Sequence, residues 1–206
     1  MVGRKQFHER YVKKISFHRV RYKSKAGEKQ ESTLADEIVF LPRKEYQKRL
    51  VDEIKDARKS VYAVMYLVSV GFWKGNEMLE IMDNLIEASR RGVDVKVLLE
   101  DPGSGFILEC NAKAAEYLLR NGIAVKFDDV GHSTHTKLVI IDDETSLLGS
   151  HNWTLAGLNM NYECSVMVRS RRLAEEYSNY FDSLWSKGYT ARSVIVRKRD
   201  KEKRKD

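Results

Sequence analysis

The sequence predicts an α/β fold, a mixed β-sheet flanked by helices. Continuous apolar runs rich in β-branched residues recur at Ser60–Ser69, Val93–Leu99 and Leu138–Ile141, as buried strands require. Amphipathic stretches at helical spacing lie between other strand-like runs. No low-complexity linker or internal repeat interrupts residues 36–187, so a single domain with one sheet collects these elements.

Taken in order, residues 1–35 form a basic arm whose partial alternation from Tyr11 to Tyr22 suits an edge hairpin or an arm that orders on a partner. Ala35–Leu41 reads as a first strand, and Pro42 opens a helix with Tyr46, Leu50, Ile54 and Ala57 on its apolar face. The Ser60–Ser69 strand is followed by a helix over Glu77–Arg91 that Gly92 stops. After the Val93–Leu99 strand and a loop at Asp101–Gly105, a helix is expected from about Cys110 to Arg120, then a short strand at Ile123–Phe127. Leu138–Ile141 turns through Asp142–Thr145 into Ser146–Gly149, and Tyr162–Arg169 alternates as a strand. Leu173–Trp185 reads as a helix with Leu173, Tyr177, Tyr180, Phe181 and Leu184 facing inward. Residues 188–206 form a basic tail, of which 197–206 lacks an apolar anchor and is expected to be disordered.

A chain of 206 residues with 42% hydrophobic and 33% charged residues can bury one substantial core. Its net charge of +7 is unevenly placed: residues 1–30 carry +8 and residues 197–206 carry +4, which leaves −5 for residues 31–196. Basic ends point to solubilising tails or to a polyanionic partner, and Tyr11, Phe17, His18 and Tyr22 interleave with the N-terminal charges as stacking residues would. The opening Met-Val-Gly-Arg-Lys-Gln lacks a signal-peptide core, and the apolar run at Val61–Val70 is well short of the ~20 residues a spanning helix needs. A cytoplasmic protein without integral membrane association is the expectation. Cys110 and Cys164 are expected to be reduced and buried.

The chemistry concentrates in Gly131–Trp153. His135 and Lys137 lie two apart at the start of a strand and so share a face. An imidazole beside a fixed ammonium suits attack on a phosphodiester. Ser150 and Asn152, again two apart, can donate to the phosphate oxygens, and Glu163 can fix a histidine tautomer. Asp142 falls five residues from Lys137, at the wrong parity to face the site, and is expected to support the turn. His132, His135 and His151 lack the acidic or cysteine partners of a metal site, so no metal and no cofactor are expected.

His135-x-Lys137, four residues, Asp142, six residues, then Gly149-Ser150-x-Asn152 resembles the signature motif of the phospholipase D superfamily, and Asn161-Tyr162-Glu163 resembles its downstream acidic element. Ser60–Leu67, the helix after it and Gly92–Leu99 are similar to that family's opening β-α-β unit. The resemblance covers roughly residues 36–187 and excludes the arm. It implies an α-β-α sandwich and metal-independent phosphodiester cleavage through a phosphohistidine. It also implies catalytic roles for His135, Lys137, Ser150, Asn152 and Glu163, with Asp142 counted among the site residues.

The mechanism needs a second imidazole, yet the chain carries one H-x-K. A homodimer placing His135 of each subunit in a shared cleft is the expectation. His132 and His151 are expected to be substrate contacts or surface histidines, with a local acid as the alternative. Basic ends favour a nuclease, an endonuclease acting on DNA ahead of RNA. A lipid phosphodiesterase and a catalytically silent nucleic-acid-binding protein are the alternatives.

Overall fold

The structure, a computed structural model, describes residues 20–23, 29–32, 35, 37–70, 77–129 and 131–195. Strands β1 (Val20–Lys23) and β2 (Lys29–Ser32) pair antiparallel as a separate hairpin. The rest of the expected Tyr11–Tyr22 alternation and the 197–206 segment lie outside the described residues.

Eight strands form the main sheet: β3 (Glu37–Pro42), β4 (Ser60–Met65), β5 (Asp94–Leu99), β6 (Ala124–Phe127), β7 (Lys137–Ile141), β8 (Thr145–Gly149), β9 (Cys164–Arg169) and β10 (Tyr189–Thr190). Their order is β10-β6-β5-β4-β7-β8-β9-β3. Only β4, β5 and β6 run parallel; every other pairing is antiparallel. All five residues of β7 are buried, because both faces of the sheet are covered at its centre. Helices α1 (Lys44–Asp56), α2 (Glu77–Arg90) and α3 (Gly105–Arg120) cover one face, packing Leu50, Ile81, Leu85 and Leu118 with Val61, Val97 and Val139. Helix α4 (Arg171–Lys187) covers the other, setting Ala174 and Phe181 on Val64, Leu98, Leu138 and Ile140. The expected α-β-α sandwich around a mixed sheet is therefore what the chain forms.

Several expected boundaries move. Strand β4 stops at Met65, and Tyr66–Val70 continue irregularly, with Tyr66 N–H donating to the Thr136 carbonyl and Val68 bridging to Trp153. Pro42 ends β3 instead of opening α1. Helix α3 begins at Gly105; its first turn presents Phe106 to solvent, so no apolar face announces it. Tyr180 faces outward from α4, and Cys164 is exposed. Within the stretch expected as a tail from residue 188, Tyr189–Thr190 pair with β6 and Ala191 and Val194 are buried in the core.

Candidate active site

The parallel strands β4 and β5 end at Met65 and Leu99, and β7 runs back antiparallel from Lys137. The C-terminal edge of the parallel core therefore meets the start of β7. The register of β7 with β8 and of β8 with β9 brings Gly149 and Ser165 to the same edge. That convergence gathers His135, Lys137, Ser150, Asn152 and Glu163 from three separate segments.

His135 is exposed, while Lys137 is buried. Lys137 Nζ lies 3.2 Å from His135 Nδ1 and donates to the His135 carbonyl at 2.8 Å. The Tyr66 ring backs both groups, 4.4 Å from the imidazole centroid and 4.6 Å from Nζ. Burial lowers the Lys137 pKa, and the charges of Glu163 and Glu100 oppose that shift. Glu163 is thus close enough to Lys137 to act on it electrostatically, which joins the two halves of the site.

Ser150 Oγ donates to Glu163 Oε2 and accepts from Cys164 N–H at 3.1 Å, while Asn161 Nδ2 donates to Glu163 Oε1 at 3.0 Å. Within this chain Glu163 therefore orients Ser150 and Asn161, and it makes no hydrogen bond to His135. Asn152 is half-buried, and its Oδ1 has no hydrogen-bond partner. Gly149 is required by close approach: a Cβ there would collide with Ser165 Oγ and Cα and with the Cys164 carbonyl.

Asp142 lies at the opposite end of β7. Its carboxylate accepts from the backbone N–H groups of Arg58 (2.9 Å), Lys59 (2.7 Å) and Ser60 (2.9 Å). It has a positive φ of 56° and sits in the β7–β8 turn. The motif's aspartate is a scaffold group that pins the start of β4 to the end of β7, and it does not touch the reacting centre.

Sequence reading missed three features. Glu100, buried at the end of β5, accepts from Ser133 Oγ at 2.9 Å and from Thr134 N–H, and so holds the segment that delivers His135. Asn111 on α3 backs it, donating to the carbonyls of Tyr66 and Glu100 at 2.9 Å each and accepting from Val68 N–H at 2.8 Å. Beside Glu100, Asp128 is pushed up to about 6 by burial, with Thr134 and the Asp101 amide pulling the other way and Glu100 adding to the rise. A single acidic letter after an apolar strand carries no signal of this role.

His151, expected at the surface or against substrate, is fully buried. Its Nδ1 accepts from Ser165 Oγ at 2.7 Å, and its Nε2 donates to the Arg43 carbonyl at 3.1 Å. It stacks on Tyr46 at 4.4 Å, and Tyr46 Oη accepts from Trp153 Nε1 at 3.1 Å. Burial lowers its pKa, against the Glu163 charge and the Arg43 carbonyl. With both ring nitrogens engaged, it is a packing group. Among the described residues no cluster of three His, Cys, Asp or Glu side chains could hold a metal ion.

Residues 50–185 match the family described as "Cardiolipin synthase, PLD-like domain". A curated relative, the phospholipase D of Rickettsia bellii, is 32% identical over 138 residues, which are 67% of this chain and 63% of that protein. The chain thus spans just under two thirds of that relative's length. Among solved structures, Nuc from Salmonella typhimurium, a phospholipase D family member, superposes with a TM-score of 0.63 at 25% identity, covering 74% of this chain and 95% of Nuc. NucT from Helicobacter pylori shares the fold at 16% identity, with a TM-score of 0.59 over 74% of this chain and 98% of NucT. A family match across two thirds of the sequence, over a sheet that places the H-x-K pair at one edge, makes this chain a member of the phospholipase D superfamily.

Proposed function

We propose that this chain is a metal-independent phosphodiesterase acting on nucleic acid through a phosphohistidine, at a site that two copies complete. The observation that carries it is the contact between exposed His135 and buried Lys137 at the start of β7, with Glu163 acting on the same ammonium. Lys137 supplies the fixed positive charge that a phosphodiester's non-bridging oxygens need, and Asn152 supplies a neutral donor.

The Nε2 lone pair of His135 attacks phosphorus, the bond to the leaving oxygen breaks, and a second imidazole gives that oxygen its proton. Water then attacks phosphorus and gives a proton to the second imidazole, and the phosphorus–nitrogen bond breaks to free His135. Attack from Nε2 requires the ring proton on Nδ1. An ammonium can only donate, so the 3.2 Å contact with charged Lys137 holds the proton on Nε2 instead. Phosphate oxygens draw Nζ away and release Nδ1; solvent then takes the Nε2 proton and returns one to Nδ1, which leaves the Nε2 lone pair free to attack.

What supports the second copy is a shortage of imidazoles. The sequence holds five histidines, His151 is fully engaged, and a single H-x-K is present. Mixing wild-type chain with His135→Asn chain tests it. In a shared site activity falls with the square of the wild-type fraction, whereas a linear fall means that each chain works alone.

Nucleic acid is favoured by the +8 and +4 at the chain ends. A diacyl phosphodiester is the second reading, favoured by the phospholipase D name of the curated relative. No helix among the described residues is long and apolar enough to cross a membrane. Turnover of oligonucleotides against anionic phospholipid vesicles, each with and without a chelator, decides between them.

A further inference from the structure

Arg43 lies outside the H-x-K motif, yet the fold fixes its backbone to the site. Its N–H donates to the Glu163 carbonyl at 3.1 Å, and its carbonyl accepts from His151 Nε2 and from Tyr46 N–H, each at 3.1 Å. Its φ is +49°, in the left-handed region where a side chain costs about 1–2 kcal/mol. Three hydrogen bonds hold an arginine in a conformation it would otherwise leave.

The guanidinium that this anchoring presents is exposed and lies 5.4 Å from the ring centroid of Tyr162. Among the described residues the Tyr162 ring is its partner, and it forms no ion pair. Tyr162 is 96% exposed, so almost none of its ring contributes to the core. It stands between Asn161 and Glu163, which hydrogen-bond each other at the site. Tyr162 is thus one residue along the chain from each of two side chains that line the site.

An uncommitted planar cation over an open aromatic face is the pairing that single-stranded nucleic acid uses: stacking for a base, a donor fork for a phosphate. We propose that Arg43 and Tyr162 form a subsite for the nucleotide flanking the scissile phosphate, with Tyr162 stacking its base and Arg43 binding its phosphate. Such a ring finds no free face on a base inside a duplex, so the subsite favours unpaired strands. The inference rests on the nucleic-acid reading of the site.

The test compares wild type with Tyr162→Phe, Tyr162→Leu and Arg43→Gln on three substrates: a single-stranded oligonucleotide, the same sequence as duplex, and bis(p-nitrophenyl) phosphate, which has neither base nor flanking phosphate. One base stack corresponds to about 5- to 150-fold in affinity. Tyr162→Leu and Arg43→Gln should each lower the kcat/KM ratio of single strand to small diester about tenfold, mostly through KM, and Tyr162→Phe should keep it. Equal losses on oligonucleotide and small diester, or an unchanged ratio, would overturn the subsite while leaving the nuclease reading intact. A Tyr162→Leu protein that sediments as monomer where wild type is a dimer overturns it too, because the ring then belongs to a subunit contact. Wild-type turnover of phospholipid vesicles with none of any oligonucleotide overturns both the subsite and the nucleic-acid reading.

Discussion

Lys137 Nζ meets His135 twice, at the ring Nδ1 (3.2 Å) and at the carbonyl (2.8 Å). One ammonium therefore fixes both the backbone and the imidazole of the residue two positions before it. Replacing His135 by Asn removes the nucleophile and keeps a polar group for Lys137. Turnover in single-turnover assays should fall at least ~10³-fold, and equilibrium oligonucleotide binding should change only a few-fold. Retained activity would refute the histidine mechanism.

Glu100 acts on the same pair from behind, through Ser133 and Thr134. Glu100→Gln keeps an acceptor for Thr134 and removes the charge; Glu100→Ala removes both. Lys137 is already depressed by burial, and Glu163 and Glu100 are the charges that oppose it. Losing Glu100's charge lowers the Lys137 pKa further, so the ammonium is lost at lower pH. The alkaline limb of kcat should move to lower pH in the Gln variant, and kcat should fall about tenfold further in the Ala variant. A pH–rate profile of each checks this.

Asp128 makes stability depend on pH with a definite sign. Its pKa is raised to about 6 from the usual 3.8, so the folded chain holds a proton that the unfolded chain releases. The stability this contributes is present below pH 4 and lost as pH rises through 6. Asp128→Asn, whose amide can donate to Glu100, should leave urea midpoints unchanged at pH 4 and raise stability by about 2 kcal/mol at pH 8.

Asp142 should separate from the catalytic residues in the same assays. Asp142→Ala strips the acceptor from three backbone amides and should cost about 1–3 kcal/mol of stability, read by denaturant unfolding. At 25 °C the surviving folded fraction should keep kcat within about tenfold of wild type.

Gly149→Ala presses a methyl group against the Ser165 hydroxyl and also against the Ser165 Cα and the Cys164 carbonyl, two backbone atoms that cannot yield by a side-chain rotation. The expected cost is about 1–3 kcal/mol, seen as a drop in melting temperature, with Ser150 displaced and activity lost even below the transition.

The sheet was legible because its central strands are buried on both faces and so read as apolar runs; β7 and β5 fall within a residue or two of expectation. Parity along β7 separated Asp142 from Lys137. What stayed hidden was set by partners distant in sequence. His151 looks like any polar loop residue until Tyr46 and Ser165 close around it. Helix α3 begins at Gly105 with an outward Phe106, which carries no helical stripe. The strand at Tyr189 exists only because β6 offers an edge.

The clasp that Asp142 makes on Arg58, Lys59 and Ser60 also bounds how the chain can be divided. A fragment starting at residue 61 would retain every letter of the H-x-K and Gly-Ser-x-Asn signature. It would leave the aspartate with nothing to hold, remove Arg43 and Tyr46 from beneath His151, and strip β9 of its β3 neighbour. Splitting the chain after Lys59 should instead give two halves that reassemble by docking the Arg58 and Lys59 amides onto the Asp142 carboxylate and β3 onto β9, so that complementation between separately expressed pieces becomes a direct reporter of sheet closure.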